Sequence, residues 1–359
     1  MEKPDAVRKL LGTFERSVLP KASADDTLLL KALRWKKEVD CFMKYFIGID
    51  ASGSKTDAIL FSQDGCVVAR EYTRGANAFD IGPTETAKRI CDTVDQLLTS
   101  LPKGEKLAGL FGSVSVISFY PEVEDKVKKH LSGTPCKLDS IVTSVLAATL
   151  GKEDGVCLIS GTGSYCCIRE AGKPLQYIGS SGYLLDTTGS GYYLGQQALI
   201  ASQRELDGRG EKTIITELIQ QEVGENVLEH LPVIYAGGRP YIASFAQTVM
   251  NAYAQGDKVA KCIFEQGVNA YVESLETAYR ILQHPFKIAT GGGVFLHFSE
   301  YATAVAQRAP EGCTMIKLDM PAVYGSALEA VWLTGGNVDE QFKPNFNRTY
   351  FRYPTPKLY

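Results

Sequence analysis

Apolar residues recur at mixed three- and four-residue spacings through residues 1–42, where Val7, Leu10, Leu11 and Phe14 are followed by Leu28, Leu29, Leu30, Leu33 and Trp35. That spacing predicts an amphipathic helical extension. It reads either as an appendage packed on the body or as a partner-binding arm, and Met43 is itself a candidate start. From Met43 the pattern changes. "YFIGIDASGSKTDAILFSQDGCVVAREYT" reads as strand, Gly/Ser turn, strand, Asp64-Gly65 turn and strand, an antiparallel meander. A helical stretch follows at 83–100, with Ala87, Ile90, Val94, Leu97 and Leu98 on its apolar face. Then "LAGLFGSVSVISF" reads as a buried strand, 121–131 as a helix, "KLDSIVTS" as a strand and "SVLAATL" as a short helix opening at Ser144.

The order then starts again. "GVCLISGTGSYCCIREAGKPLQYIG" is a second hairpin with a glycine turn, and helical stretches follow at about 192–206, 211–223, 241–254 and 257–283. "FKIATGGGVF" gives a strand and glycine loop, "TMIKLD" another strand, and "AVYGSALEAVWLTGG" a closing helix with a glycine stop. The expectation is an α/β protein of two related lobes, 43–150 and 151–336, each a mixed sheet flanked by helices. The 1–42 extension precedes them and a tail at 337–359 follows.

Composition narrows the partners rather than the fold. A chain of 359 residues with 45% hydrophobic and 22% charged residues is long enough for two sizeable cores. Its net charge of −3 gives no electrostatic case for nucleic acid or an anionic membrane surface, since both call for a clustered basic excess. A small molecule or a protein is the expected partner. No apolar run approaches the roughly 20 residues that span a bilayer, and the charged N-terminus is unlike a signal peptide. Nine cysteines, at 41, 66, 91, 136, 157, 166, 167, 262 and 313, include no C-x-x-C pair. They predict neither a zinc site nor a disulfide framework, and so a reducing cytoplasm. His130, His230, His284 and His297 show no ligand spacing.

The candidate chemistry lies in the turns. A turn rich in Gly, Ser and Thr can point successive backbone N–H groups at phosphate oxygens, and Gly53 in "DASGSKT" and Gly163 in "LISGTGS" let that backbone come close. Ser54, Thr56, Thr162 and Ser164 offer hydroxyls; Lys55 offers a charge or points to solvent. Asp50, ending the first strand, is placed to hold Mg²⁺ through water, which suits a hard cation that keeps its hydration shell. The same hairpin also reads as a tight turn capped by Asp50. The second hairpin, around Gly161, favours phosphate binding.

Asp50 to Thr56, "LISGTGS" at 158–164, "TTGSGYYLG" at 187–195 and "ATGGGVF" at 289–295 together resemble the BadF/BadG/BcrA/BcrD ATPase family. That family includes the N-acetylglucosamine kinases and belongs to the actin, hexokinase and Hsp70 superfamily; the resemblance spans roughly residues 44–336. It implies two RNase H-like lobes facing a cleft that binds ATP and Mg²⁺, with Gly291, Gly292 and Gly293 on the adenosine side. It also implies an amino sugar as substrate and a homodimer as a candidate assembly. "RGANAFDIG" at 74–82 is similar to a sugar-kinase segment whose asparagine contacts sugar hydroxyls, here Asn77; locally, the same Asn reads as a turn former. "GSSGYLL" at 179–185 resembles the segment lining the sugar pocket, with Gly182 matching and Ser181 standing where those kinases carry an aromatic.

The carboxylates are where the pattern departs. A kinase of this superfamily uses an acid to orient the acceptor hydroxyl and take its proton. The three corresponding places are neutral here: Ile117 with Ser118, then Ser144, then Thr187-Thr188. Asp186, one residue upstream, is the catalytic candidate by position, whereas Glu122, Glu124 and Asp125 read as the solvated face of a helix. Two functions stand: an ATP-dependent kinase of an amino sugar or related small hydroxyl compound, and a catalytically degenerate sensor that binds nucleotide or sugar. The iron–sulfur chemistry of the 2-hydroxyacyl-CoA dehydratase activators is not expected, because adjacent Cys166 and Cys167 on a strand point to opposite faces.

Overall fold

Near-continuous apolar runs, buried on both faces in the first two strands, build the predicted meander from Tyr45–Ala51 (β1), Lys55–Ser62 (β2) and Val67–Arg74 (β3). The computed structural model describes residues 43–355, so the extension predicted at 1–42 lies outside the described residues. The first half continues with Ala78–Leu98 (α1), Leu107–Val114 (β4), Pro121–His130 (α2), Cys136–Asp139 (β5) and Ile141–Leu150 (α3). The second opens with Gly155–Ser160 (β6), Ser164–Arg169 (β7) and Gln176–Ile178 (β8). There follow Gly191–Leu206 (α4), Ile214–Val223 (α5), Leu231–Ser244 (α6), Ala246–Ala254 (α7) and Lys258–Leu282 (α8). The chain ends with Lys287–Gly291 (β9), Gly293–His297 (α9), Ser299–Gln307 (α10), Thr314–Lys317 (β10), Ala322–Leu333 (α11) and Phe342–Tyr350 (α12).

The two sheets repeat one topology. Their orders are β3-β2-β1-β4-β5 and β8-β7-β6-β9-β10. In each, the first three strands pair antiparallel and the last two run parallel to the first. The C-terminal ends of β1, β4, β6 and β9 are therefore where ligand-facing loops emerge, as in other open α/β sheets.

Several boundaries differ from the sequence expectation. Helix α1 starts at Ala78 because Asn77 caps it, and Gly82, at φ 76 and ψ 157, interrupts it just before Pro83. "KLDSIVTS" divides between β5 and α3 at extended Ser140. Its Ile141, Val142 and Thr143 favour a strand locally, but Val142 is buried on a helix face, so packing overrides propensity. The stretch at 241–254 is two helices meeting at Phe245, and both α6 before residue 241 and α12 in the expected tail had no forecast.

The packing crosses the sequence order. One face of the first sheet, through Ile47, Ile49 and Ala51, buries against the α1 and α2 side chains Ile90, Val94, Val123 and Val127. Its other face, through Phe46, Ile59, Phe61 and Phe111, buries against Val323, Ala327, Val331, Phe342 and Phe346 of α11 and α12. Conversely α3, which leaves the first sheet, packs Val142, Val145 and Leu146 on Cys157, Ile159, Cys167 and Ala289 of the second. The opposite face of that sheet, with Val156, Leu158 and Cys166, takes the helices between α4 and α10. Cys166 and Cys167 thus enter different cores.

Helices α3 and α11 cross at Gly325, where an added Cβ would overlap the Ser144 carbonyl oxygen. Backbone on both sides leaves nothing soft to yield. Gly325→Ala is expected to cost about 1–3 kcal/mol, the range for overpacking a close contact, and a urea titration reads it directly; an unchanged midpoint would mean that the two helices separate at little cost.

Candidate active site

The ends of β1 and β6 carry matching glycine turns. In the first, the Ser52 amide donates to the Lys55 carbonyl at 2.8 Å, and the Ala76 amide donates to the Ser52 carbonyl at 3.1 Å, so the segment after β3 supports the turn from below. Arg89 of α1 fastens that segment by donating to the Gly75 carbonyl at 2.7 Å. In the second, the Gly161 amide donates to the Gly163 carbonyl at 2.9 Å. The first turn of α4 clasps it, Gly191 donating to the Gly161 carbonyl at 2.7 Å and Tyr192 to that of Thr162 at 3.2 Å. Gly292 packs against the same place at φ +90, where a side chain would collide with the Ser160 carbonyl. The loops at 161–164, 189–191 and 291–293 therefore converge, and the first hairpin faces them. A Cβ on Gly53 would stand 3.9 Å from the Thr162 Cβ.

The side chains expected to serve this space are unevenly available. Thr56 Oγ1 donates to the Arg74 carbonyl at 3.0 Å, so its proton holds the sheet together rather than pointing into the turn. Lys55 lies with its Nζ over the Tyr72 ring at 5.6 Å. Ser164 pairs with Ser160 at the mouth of the second hairpin. Asn77 caps α1 by accepting from the Phe79 amide at 2.8 Å, while its amide nitrogen lies 3.9 Å from the Cβ position of Gly53. A Cβ on Gly182 would stand 3.5 Å from the ring of Phe79, the residue whose amide Asn77 caps, so the two acceptor-side candidates lie near one another.

The neutral positions have local duties. Ile117 is buried in a short 3-10 turn that follows Val116, a β-branched residue held at φ 57. Ser144 is fully buried at the helix crossing and donates to the Ile141 carbonyl at 3.0 Å. Thr187 pairs its hydroxyl with that of Ser190 at 2.7 Å, and Ser190 caps α4 by accepting from the Tyr193 amide at 3.1 Å. Asp186 closes its own loop, its Oδ2 accepting from the Ser180 amide at 2.6 Å.

Asp50 has a different environment. It is buried, lies opposite Asp57 on β2 and beside Ser113 on β4, and accepts no hydrogen bond from the described residues. Burial pushes its carboxyl up from about 3.8 to about 6; Lys55 opposes that rise and Asp57 adds to it. The Ser113 hydroxyl beside it is buried with no partner among the described residues. Asp57, by contrast, is fully engaged, receiving Nε and one terminal nitrogen of Arg70 at 2.8 and 2.9 Å and the Tyr350 hydroxyl at 2.5 Å.

One pair had no forerunner in the sequence reading. Asp80 on α1 receives Nε and a terminal nitrogen of Arg239 on α6 at 2.8 and 2.6 Å. Its Oδ2 lies 3.6 Å from the Cβ position of Gly53, and Arg239 stacks over the Tyr183 ring at 4.7 Å. The partners are 159 positions apart, so no local spacing could announce them.

A repeated five-stranded sheet, with glycine turns facing each other from the ends of corresponding strands, defines the two-lobed RNase H-like class of ATPases and sugar kinases. Within that class, the chain belongs to the BadF/BadG/BcrA/BcrD ATPase family, whose model matches residues 47–330. It is 29% identical over 268 residues to the N-acetylmuramic acid/N-acetylglucosamine kinase of Clostridium acetobutylicum, covering 70% of this chain and 86% of that one. It is 26% identical over 275 residues to the N-acetyl-D-glucosamine kinase of Dictyostelium discoideum, covering 69% and 84%. Among solved structures, a structural-genomics target from Chromobacterium violaceum shares the fold at a TM-score of 0.62 and 19% identity, over 81% of this chain and 99% of that one. A ROK family glucokinase from Streptomyces griseus, crystallised with glucose and AMPPNP, shares it at 0.52 and 15%, over 80% and 99%. No helix among the described residues is long and apolar enough to cross a membrane.

Proposed function

We propose that this protein is an ATP-dependent kinase of an amino sugar such as N-acetylglucosamine, or of a related small hydroxyl compound. The observation that carries the reading is the pair of glycine turns at Gly53 and Gly161–Ser164, facing each other at a few ångströms in a chain of this family. Their backbone N–H groups hold the phosphates from both sides, and Gly291, Gly292 and Gly293 leave room for the nucleoside. Asn77 and Gly182 bound the acceptor side. The amino-sugar class comes from the relatives named above.

Magnesium fits what the residues offer. Asp50 is a buried carboxylate whose charge nothing nearby neutralises fully, and an unpartnered hydroxyl, Ser113, stands beside it. Among the described residues no group of three or more His, Cys, Asp and Glu side chains assembles a metal cage, and a hydrated Mg²⁺ held through one carboxylate needs none. When bound, the ion neutralises phosphate charge. Asp50 itself orients the hydration shell, and the turns hold the chain of phosphates in line.

Incubation with ATP, Mg²⁺ and a panel including N-acetylglucosamine and N-acetylmuramic acid should release ADP with at least one sugar well above the rate with water alone. A second reading, binding without transfer, draws on the structural duties of Ile117, Ser144 and Thr187. Tight binding of a non-hydrolysable ATP analogue with no sugar-dependent ADP at high protein concentration would favour it and overturn the first.

A further inference from the structure

We propose that Asp80 is the carboxylate that receives the acceptor hydroxyl, and that Arg239 is the residue that positions it; this rests on the kinase reading above. The family's acidic positions cannot supply that group, since Ile117 and Ser144 are buried in packing and Thr187 is bound into a helix cap. The neighbouring acids are bonded as Asp80 is, so position decides among them. Asp186 is tied to the Ser180 amide, and Asp57 is enclosed by Arg70 and Tyr350. Glu124 accepts from the Leu138 amide at 3.1 Å.

Asp80 alone of these reaches the phosphate turn, with Oδ2 3.6 Å from the Cβ position of Gly53. A hydroxyl resting between that oxygen and a phosphate lying on the turn is within hydrogen-bond reach of both. Arg239 makes this arrangement electrically tolerable. A bare carboxylate beside a triphosphate is repelled, whereas a bidentate Arg–carboxylate pair is close to neutral and keeps a fixed orientation. Stacking on Tyr183 fixes the guanidinium plane in turn.

A purely stabilising role explains the pair less well. The side chains are only 23% and 12% exposed, for Asp80 and Arg239, and an ion pair so enclosed loses about as much in desolvation as it gains in attraction. Both residues also sit at interruptions of their helices. Gly82 at φ 76 and Pro83 follow Asp80, while Gly238 at φ 57 and Pro240 flank Arg239. Glycines beside both partners supply the non-helical backbone that breaks each helix there.

In the step itself, the acceptor O–H bond breaks and its proton passes to the Asp80 carboxylate. The acceptor oxygen forms a bond to the γ-phosphorus, and the bond from that phosphorus to the β,γ-bridging oxygen breaks, with ADP keeping the electron pair. Asp80 then returns the proton to water.

The test uses the full chain with ATP-Mg²⁺ and the fastest sugar of the panel. Asp80→Asn should lower kcat by about 10²–10⁴-fold, the usual contribution of a positioned base. Its melting temperature should stay near the parent's and its Kd for a non-hydrolysable ATP analogue within about threefold, as expected of a group acting in the transition state. Asp80→Glu should recover part of the loss. Arg239→Met should lower kcat with little change in KM for ATP, and the double variant should be no slower than Asp80→Asn, because the two act as one unit. An Asp80→Asn enzyme within about fivefold of the parent's kcat, or one that loses analogue binding as steeply as turnover, overturns the assignment alone. A parent that binds the analogue and phosphorylates no sugar overturns the kinase reading and the assignment with it.

Discussion

Replacing Asp50 with asparagine is expected to make the ligand-free protein more stable while slowing the reaction. Burial raises this carboxyl from about 3.8 to about 6, so the folded state holds its proton more tightly than the unfolded state does. Unfolding free energy therefore falls as pH rises from about 4 to about 6 and stays reduced above that, each tenfold difference in proton affinity being worth roughly 1.4 kcal/mol. The cost at pH 8 is about 2–3 kcal/mol. Asparagine keeps the shape and removes the charge. Urea titrations of the two proteins should nearly coincide at pH 4 and separate at pH 8, with Asp50→Asn the more stable by about that amount. Turnover should fall by about 10²–10³-fold, the scale of losing one preorganised electrostatic contact. Equal stability at pH 8 would show that the buried charge is compensated in the folded protein, and the case for a cation-holding carboxylate would go with it.

The opposite result is expected one strand away. Arg70→Met should destabilise by about 3–5 kcal/mol, because it strands a buried charge rather than removing one. Arg70 and Asp57 have side chains only 4% and 3% exposed, and Arg70 also donates to the Tyr353 carbonyl at 3.2 Å and to Thr355 Oγ1 at 3.1 Å. The loss thus reaches the segment that follows α12. Without the guanidinium, Asp57 faces Asp50 as a second uncompensated carboxylate. Equilibrium denaturation at pH 7 measures the effect, and the Asp57→Asn, Arg70→Met pair should be less destabilised than Arg70→Met alone. A single variant within about 1 kcal/mol of the parent would place the pair among ordinary surface contacts.

Much of the architecture was legible because it rests on local periodicity. The meander from Tyr45 to Arg74 and the restart at Gly155 follow from short apolar runs punctuated by glycine turns, and both appear as the repeated sheet. What stayed hidden depends on distance in sequence. Residues 337–359 look like a tail, since Phe342, Phe346 and Tyr350 are spaced like a weak helix, and only the exposed face of a sheet nearly three hundred residues earlier gives them a reason to fold. Site residues divide the same way. The glycine turns announce themselves through composition, whereas the commitment of Thr56 to Arg74, of Asp186 to Ser180 and of Asp80 to Arg239 depends on which strand or helix arrives alongside. Asp80 itself looks like an ordinary acidic residue in the first turn of a helix, which favours such residues on dipole grounds alone.

The crossing of α3 and α11 also bears on the order of synthesis. The sheet made first has Phe46, Ile59, Phe61 and Phe111 on the face that α11 and α12 cover. On the ribosome that face stays wet until α11 and α12 have emerged. A nascent chain of this kind presents a sticky, half-finished sheet throughout translation of the second one, which is the condition under which chaperones are recruited and kinetic traps form. Ribosome-bound chains halted at residue 319 should be protease-sensitive across the first sheet and become resistant only once α11 and α12 have cleared the ribosome and packed on it.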